Sequence, residues 1–129
     1  ENIEAYLASH QVAVTQLAIG YCDPLVEADA ALSIGNSARF FPNFNFNEGH
    51  TTAFNSQVKM DQVTGPLTTK ILGVGLTSQP LVTDVTSELE SLMGILDNTC
   101  TDDCGITRTR TIVKAACATT LGSGAVLIQ

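Results

Sequence analysis

The chain has two histidines, and these are its first candidates for binding a cofactor or another ligand. His10 and Met60 could act as the axial ligands of a haem inside a helical bundle, since proteins use imidazole and thioether in this way. The simpler interpretation makes His10 a buried structural histidine that is hydrogen-bonded to a neighbour. We favour the structural interpretation, expect no cofactor, and keep a haem-binding or electron-transfer bundle as the alternative function.

His50 follows Glu48 and Gly49 beside an aromatic-rich segment and could join a surface binding site. No nucleophile stands near it in the sequence, and the metalloprotease, P-loop, calcium-loop and nucleophile-elbow motifs do not occur. Asp97, Asp102 and Asp103 could make a weak calcium contact, but a solvated acidic loop is favoured. An enzyme acting through His50 and acidic residues is the least favoured hypothesis, so we expect no catalytic residue and no metal site.

The four cysteines indicate two disulfides. Three pairings are possible, and the spacing favours Cys100 with Cys104 and Cys22 with Cys117. The second pair would remove about 4–5 kcal/mol of unfolded-state freedom. Four reduced cysteines are the alternative, and a zinc site would need a second closely spaced pair. Disulfides point to export, so we expect an extracellular or cell-surface protein, and the start at Glu1 suggests a processed chain or a segment of a longer one.

Length and composition are those of one globular domain. The chain has 129 residues, of which 44% are hydrophobic and 15% charged, with a formal net charge of −7. That is enough apolar material for one core, and too few Lys and Arg for a face that binds nucleic acid. No stretch approaches the 18 or more consecutive apolar residues of a membrane-spanning helix.

Apolar residues recur at helical spacing in several parts of the chain. A first helix is predicted from Asn2 to about Gly35, with Pro24 either kinking it or splitting it after Cys22. Its core-facing stripe is predicted to be Ile3, Leu7, His10, Val14, Leu17 and Tyr21.

Three more helices follow. One is predicted from Ala53 to Leu72, kinked or split at Gly65-Pro66, and the next from about Val82 to Leu96. The last begins near Thr107 or Thr109 and runs to Ile128. Small residues four apart on it, at Ala116, Thr120 and Gly124, let neighbours approach closely, so we expect this helix to be the central, most buried element.

The segment from Phe40 to Asn47 has no sustained period and is predicted to be an irregular loop between the first and second helices. Its phenylalanines have two interpretations. Folded over the end of the bundle, they close the core, which we favour; left exposed, they form an apolar patch for a partner protein, a glycan surface or another copy of the chain. The candidate binding residues are Phe40, Phe41, Phe44, Phe46 and His50.

Together these patterns predict one all-α domain over residues 1–129. It is a bundle of four to five helices stapled by two disulfides, with the irregular Phe-rich loop between its first and second helices.

Three stretches, residues 2–22, 40–46 and 111–129, resemble the C-terminal helical region of large exported bacterial proteins that carry laminin-G-like, concanavalin-type domains. The resemblance implies a bacterial envelope or extracellular setting and transfers no active-site residue. We therefore expect a non-enzymatic extracellular or cell-surface structural or interaction module, which binds a protein partner or assembles with copies of itself.

Overall fold

Helices make up all the regular structure in the described part of the chain, where no strand occurs. The computed structural model describes the backbone of residues 3–72, 82–102 and 104–128, and the side chains of residues 16–71, 83–102 and 104–122. The predicted all-α bundle with two disulfides is confirmed. None of the described helices has the length and apolar character needed to cross a lipid bilayer. The helices are α1 (Ile3–Ala30), α2 (His50–Ala53), α3 (Gln57–Leu67) with a π-helical turn (Thr68–Leu72), α4 (Val82–Asn98) and α5 (Ile106–Ile128).

Helices α1 and α5 are the principal pair of the bundle. The disulfide between Cys22 and Cys117 joins them, with the two Cα atoms 5.9 Å apart in space and 95 residues apart in sequence. Both cysteines are fully buried. We call this bond the long-range disulfide. Closing a loop of this size lowers the conformational entropy of the unfolded chain, which stabilises the folded chain by about 4–5 kcal/mol.

An ion-pair cluster next to the long-range disulfide ties the same two helices together. Lys114 lies 2.7 Å from carboxylate oxygens of both Asp23 and Glu27, and Arg110 lies 3.0 Å from Glu27. The hydrogen bond from Lys114 lowers the pKa of Glu27, against the opposing effect of burial. Burial disfavours the charged form of Lys114, but its hydrogen bonds to the two carboxylates outweigh that effect and raise its pKa. The cluster lies beside Pro24, through which α1 continues although proline cannot donate a backbone hydrogen bond.

The face that α1 turns toward the core differs from the predicted one. Leu17 and Tyr21 are 76% and 52% exposed, whereas Ala18, Cys22 and Val26 are buried. The prediction that Leu17 and Tyr21 face the core is therefore wrong. The physical reason is the long-range disulfide: Cys22 must face α5, and residues four positions before and after it share its side of the helix. The earlier members of the predicted stripe lie among the side chains that the structure does not describe.

Helix α5 is the centre of the bundle, as its small residues predict. Ile112, Val113 and Ala116 have no exposed area, and Thr120 is buried as well. The helix contacts α1, α2, α3 with its π-helical turn, and α4. An element that contacts every other helix has to pack through residues that fit closely, which explains its run of aliphatic and small side chains.

The second predicted helix, from Ala53 to Leu72, begins at Gln57 instead and then continues without a break through its π-helical turn. The chain leaves α2 at Phe54 and re-enters a helix at Gln57, where the Ser56 hydroxyl accepts a hydrogen bond from the Lys59 amide at 3.3 Å. A serine in extended conformation before a helix is a typical N-cap. Pro66 lies inside α3 instead of dividing it, and the π-helical turn begins two residues later.

The Phe-rich loop closes one end of the core. Phe41, Phe44 and Phe46 are buried, and their rings pack edge to face, with the centroids of Phe44 and Phe46 4.9 Å apart. Phe54 extends the group from the end of α2, 5.5 Å from the Phe44 centroid. Phe40 is half-buried at the rim. Of the two interpretations of this loop, the structure has the closed one, with three of its four rings unavailable to a partner.

Two buried charged residues hold that loop in shape. The Asp29 carboxylate, on α1, accepts hydrogen bonds from the backbone amides of Phe40 at 2.9 Å and Phe41 at 2.7 Å. The Arg39 guanidinium donates to the carbonyl oxygens of Asp29, Pro42 and Phe44 at 3.1, 3.1 and 2.8 Å. An irregular loop has no ladder to satisfy its backbone, so side chains take over that role.

Candidate functional site

The strongest concentration of chemical groups lies where α2 begins and α4 ends. His50 is the first residue of α2 and is buried. Its Nδ1 atom lies 2.6 Å from Oδ1 of Asp97, in the last turn of α4. A carboxylate that accepts the Nδ1 proton fixes the orientation and tautomer of an imidazole, and leaves the lone pair of Nε2 free.

The second disulfide lies against this pair. Cys100 and Cys104 are bonded, with Cα atoms 5.8 Å apart, in the short connection between α4 and α5. Both residues keep some exposed area. A ring nitrogen of His50 and the two sulfur atoms all lie within 4.8 Å of one another. We call this bond the short-loop disulfide, and the group of Asp97, His50, Cys100 and Cys104 the His–Cys cluster.

Hydrogen bonds from α5 fix the helix ends that carry the cluster. The Arg108 guanidinium donates to the carbonyl oxygen of Leu96, at the end of α4, at 3.1 and 2.8 Å. The Thr109 hydroxyl, which is fully buried, donates to the carbonyl oxygen of Glu48 at 2.7 Å, just before α2. Both donors belong to α5, so the beginning of α2 and the end of α4 are held to one rigid element.

His50 has a carboxylate partner that was not predicted from the sequence, where the expectation concerned only the lack of a nearby nucleophile. The sequence places it 47 residues before Asp97, and no pattern near His50 points to so distant a partner. The sequence around Asp97 does carry a signal, because this carboxylate and two cysteines lie close together at the end of a predicted helix. The candidate calcium ligand Asp97 instead bonds His50, Asp102 is exposed, and Asp103 lies outside the described residues.

The cluster can do two kinds of chemistry. An imidazole oriented by a carboxylate can accept or donate a proton, and next to thiols it can also supply a nitrogen ligand to a metal ion. In the disulfide form, however, the sulfur atoms are bonded to each other, and none of the four cysteines is free. The oxidised cluster thus contains no thiol nucleophile and no thiolate ligand.

The alternative haem site is not assembled by any described contact. Met60 is partly buried and packs against the hydrophobic core. The side chain of His10 lies outside the described residues, so the pairing of His10 with Met60 stays a prediction.

A cavity of about 290 Å³ lies between the Phe-rich loop and α3. Its charged lining residues, Glu48 and Lys59, form an ion pair of 2.9 Å with each other. Lys59 also donates to the carbonyl oxygen of Thr52. Because these two charges satisfy each other, the cavity offers a ligand no free charged group from this pair.

A second surface that could act on other molecules is the outer face of α1. Besides Leu17 and Tyr21, the neighbouring Ile19 is 54% exposed. The sequence carries no Asp, Glu, Lys or Arg from residue 5 to residue 22. Leu17 and Tyr21 are one turn apart, so they share a side of the helix, and we call them the α1 apolar face.

Comparison of the chain with protein-family models, with curated proteins and with solved structures finds no match in any of the three. The resemblance to the helical region of exported laminin-G-like bacterial proteins therefore stays a prediction.

Proposed function

We propose that this protein is a non-enzymatic, extracellular or cell-surface helical module that works by binding a second copy of itself through the α1 apolar face. The observation that carries the proposal is the exposure of Leu17 and Tyr21, at 76% and 52%, on a helix whose other side is pinned to the core by a disulfide. Large apolar side chains that share one side of a helix lower the free energy of association when a partner covers them.

The lack of charged residues around this face makes it the place where a second copy meets the least repulsion. Two copies with a formal net charge of −7 repel each other over most of their surfaces. The segment from residue 5 to residue 22 has no charged side chain, so two copies meet there with the least repulsion. A helix face that pairs with itself around a two-fold axis buries the same residues on both copies, which is the commonest form of association in soluble oligomers.

Two further observations support the assignment. All four cysteines are paired in disulfides, which persist in oxidising compartments outside the cytosol. The His–Cys cluster is closed by its disulfide and offers no thiol nucleophile. The predicted resemblance to exported bacterial proteins agrees with a setting at the bacterial envelope.

The test is the mass of the intact, oxidised chain in solution, measured by light scattering over micromolar to millimolar concentrations. We expect a dimer whose population rises with concentration. The variants Leu17→Glu and Tyr21→Glu place like charges opposite each other and should be monomers throughout that range.

The matched control is Val58→Glu, which adds the same charge at an apolar residue of α3 that is 68% exposed. This variant should keep the dimer. Far-ultraviolet circular dichroism checks that all three variants retain the helical fold. A wild-type chain that stays monomeric at the highest concentration, or a control that dissociates as readily as Leu17→Glu, would contradict the proposal.

A further inference from the structure

The His–Cys cluster contains the donor set of a metal site in which two of the donors are masked by a bond. Two sulfur atoms and an imidazole nitrogen lie within 4.8 Å of one another, the sulfur atoms in the connection between α4 and α5 and the nitrogen on α2. Donors bound to one tetrahedral zinc ion lie roughly 3.6–3.8 Å apart, given metal–ligand distances of about 2.0–2.3 Å. The nitrogen therefore has to move by only about 1 Å toward the sulfur atoms, while the sulfur atoms separate from their bonded distance.

We propose that reduction of the short-loop disulfide converts this cluster into a binding site for a thiophilic divalent cation, Zn²⁺ in the first instance. Cys100 and Cys104 supply two thiolates and His50 supplies the third ligand. Two cysteines and one histidine are a ligand set that zinc accepts, with its fourth position left to water or a carboxylate. The site does not depend on the proposed self-association through α1.

The two disulfides differ in a way that allows one to open alone. The long-range disulfide is fully buried between α1 and α5, whereas Cys100 and Cys104 keep exposed area in a surface connection. A thiol reductant has to reach a sulfur atom in order to attack it, so the short-loop disulfide reacts first. A dithiol that reduces it ends as its own cyclic disulfide, and its two electrons and two protons pass to the sulfur atoms of Cys100 and Cys104.

Asp97 fixes the orientation and the tautomer of His50. Its carboxylate accepts the Nδ1 proton at 2.6 Å, which leaves Nε2 as the nitrogen with a free lone pair. Ligating histidines in proteins are commonly held in this way, and loss of the supporting carboxylate typically lowers metal affinity 10- to 100-fold. Asp97 is thus a positioning residue, and binding of Zn²⁺ releases the two thiol protons to solvent.

The test uses the full chain and a phosphine reductant, which becomes a phosphine oxide with oxygen taken from water. Alkylation followed by mass spectrometry establishes which cysteines are reduced. Zn²⁺ affinity is then measured by competition with a coloured chelator, and Co²⁺ is added separately to look for thiolate-to-cobalt charge-transfer absorption. We expect reduction at Cys100 and Cys104 first, one Zn²⁺ per reduced chain, and no binding by the oxidised chain.

Three variants separate the roles of the ligands. His50→Gln should weaken Zn²⁺ binding by more than about 10-fold and change the Co²⁺ spectrum, and Asp97→Asn should weaken binding by about 10-fold. The control Thr101→Ala alters an exposed residue inside the same short loop and should leave the affinity unchanged. Circular dichroism establishes that each variant is folded.

Several results would overturn the inference. These are a reduced chain that binds no Zn²⁺, simultaneous opening of both disulfides, and a folded His50→Gln chain with wild-type affinity. The last result would mean that the two thiols act as a simple chelator without the imidazole.

Discussion

Replacement of Arg39 by methionine should unfold the Phe-rich loop and lower the stability of the whole bundle. The guanidinium is buried and donates three hydrogen bonds, to the carbonyl oxygens of Asp29, Pro42 and Phe44. It also lies 5.4 Å from the centroid of the Phe46 ring. Methionine keeps most of the apolar volume of the side chain but supplies neither a donor nor a positive charge, so the change removes the hydrogen bonds and the contact with Phe46 while largely keeping the packing.

The expected loss follows from the partners of each carbonyl. Asp29 and Pro42 each keep a second donor, the amides of Leu32 and Gly35, whereas the described contacts give the Phe44 carbonyl no other. A hydrogen bond from a charged donor contributes about 1.5–3 kcal/mol, and these contributions are not fully additive. We therefore expect Arg39→Met to lower the free energy of unfolding by about 3–5 kcal/mol, which is a large part of the 5–15 kcal/mol typical of a domain.

Lys70→Met is the matched control, because it makes the same kind of change at an exposed cation that contacts the same loop from the π-helical turn. Lys70 donates to the carbonyl oxygen of Phe40 at 2.7 Å and lies 4.8 Å from the centroid of that ring. In water these contacts contribute less than about 1 kcal/mol. Urea unfolding of the oxidised chain, followed by circular dichroism, measures both values. Equal losses for the two variants, or a loss below about 1 kcal/mol for Arg39→Met, would refute the reasoning that burial decides the energy.

Two other predictions concern covalent and ionic links. Replacing both cysteines of the long-range disulfide by alanine should lower the free energy of unfolding by about 4–5 kcal/mol, and the same change at the short-loop disulfide by about 2 kcal/mol. The difference arises because the entropy of closing a loop grows with its length. Urea unfolding without reductant measures both losses, and the reverse order would contradict the prediction. The Lys114→Met variant should be less stable than the wild type at neutral pH by up to about 1 kcal/mol, since Glu27 is largely exposed. The pKa of Glu27 is lowered and that of Lys114 is raised, so the difference in stability between the two chains should shrink as the pH falls below 4.5 or rises above 10.5. A difference in stability that does not change with pH would exclude the ion pairs as its cause.

Local patterns in the sequence determined much of the architecture. Helical spacing of apolar residues predicted the long helices, since that periodicity is a property of the backbone alone. The spacing of four cysteines predicted both disulfides, because a short loop can close within itself and leaves one pairing for the other two. The small residues around Ala116 predicted that α5 lies at the centre, as steric fit depends on side-chain size.

Three features were decided by the tertiary structure. The side of α1 that faces the core depends on Cys22 meeting Cys117, and a stripe of apolar residues cannot indicate which of two overlapping faces a distant helix will cover. The Asp29 and Arg39 contacts satisfy a loop backbone whose path has no periodicity to read. The meeting of His50 with Asp97 joins groups 47 residues apart. The first and third features depend on distances in space between elements that are far apart in the chain, and the second depends on the path of an aperiodic loop; no local pattern of residues encodes either.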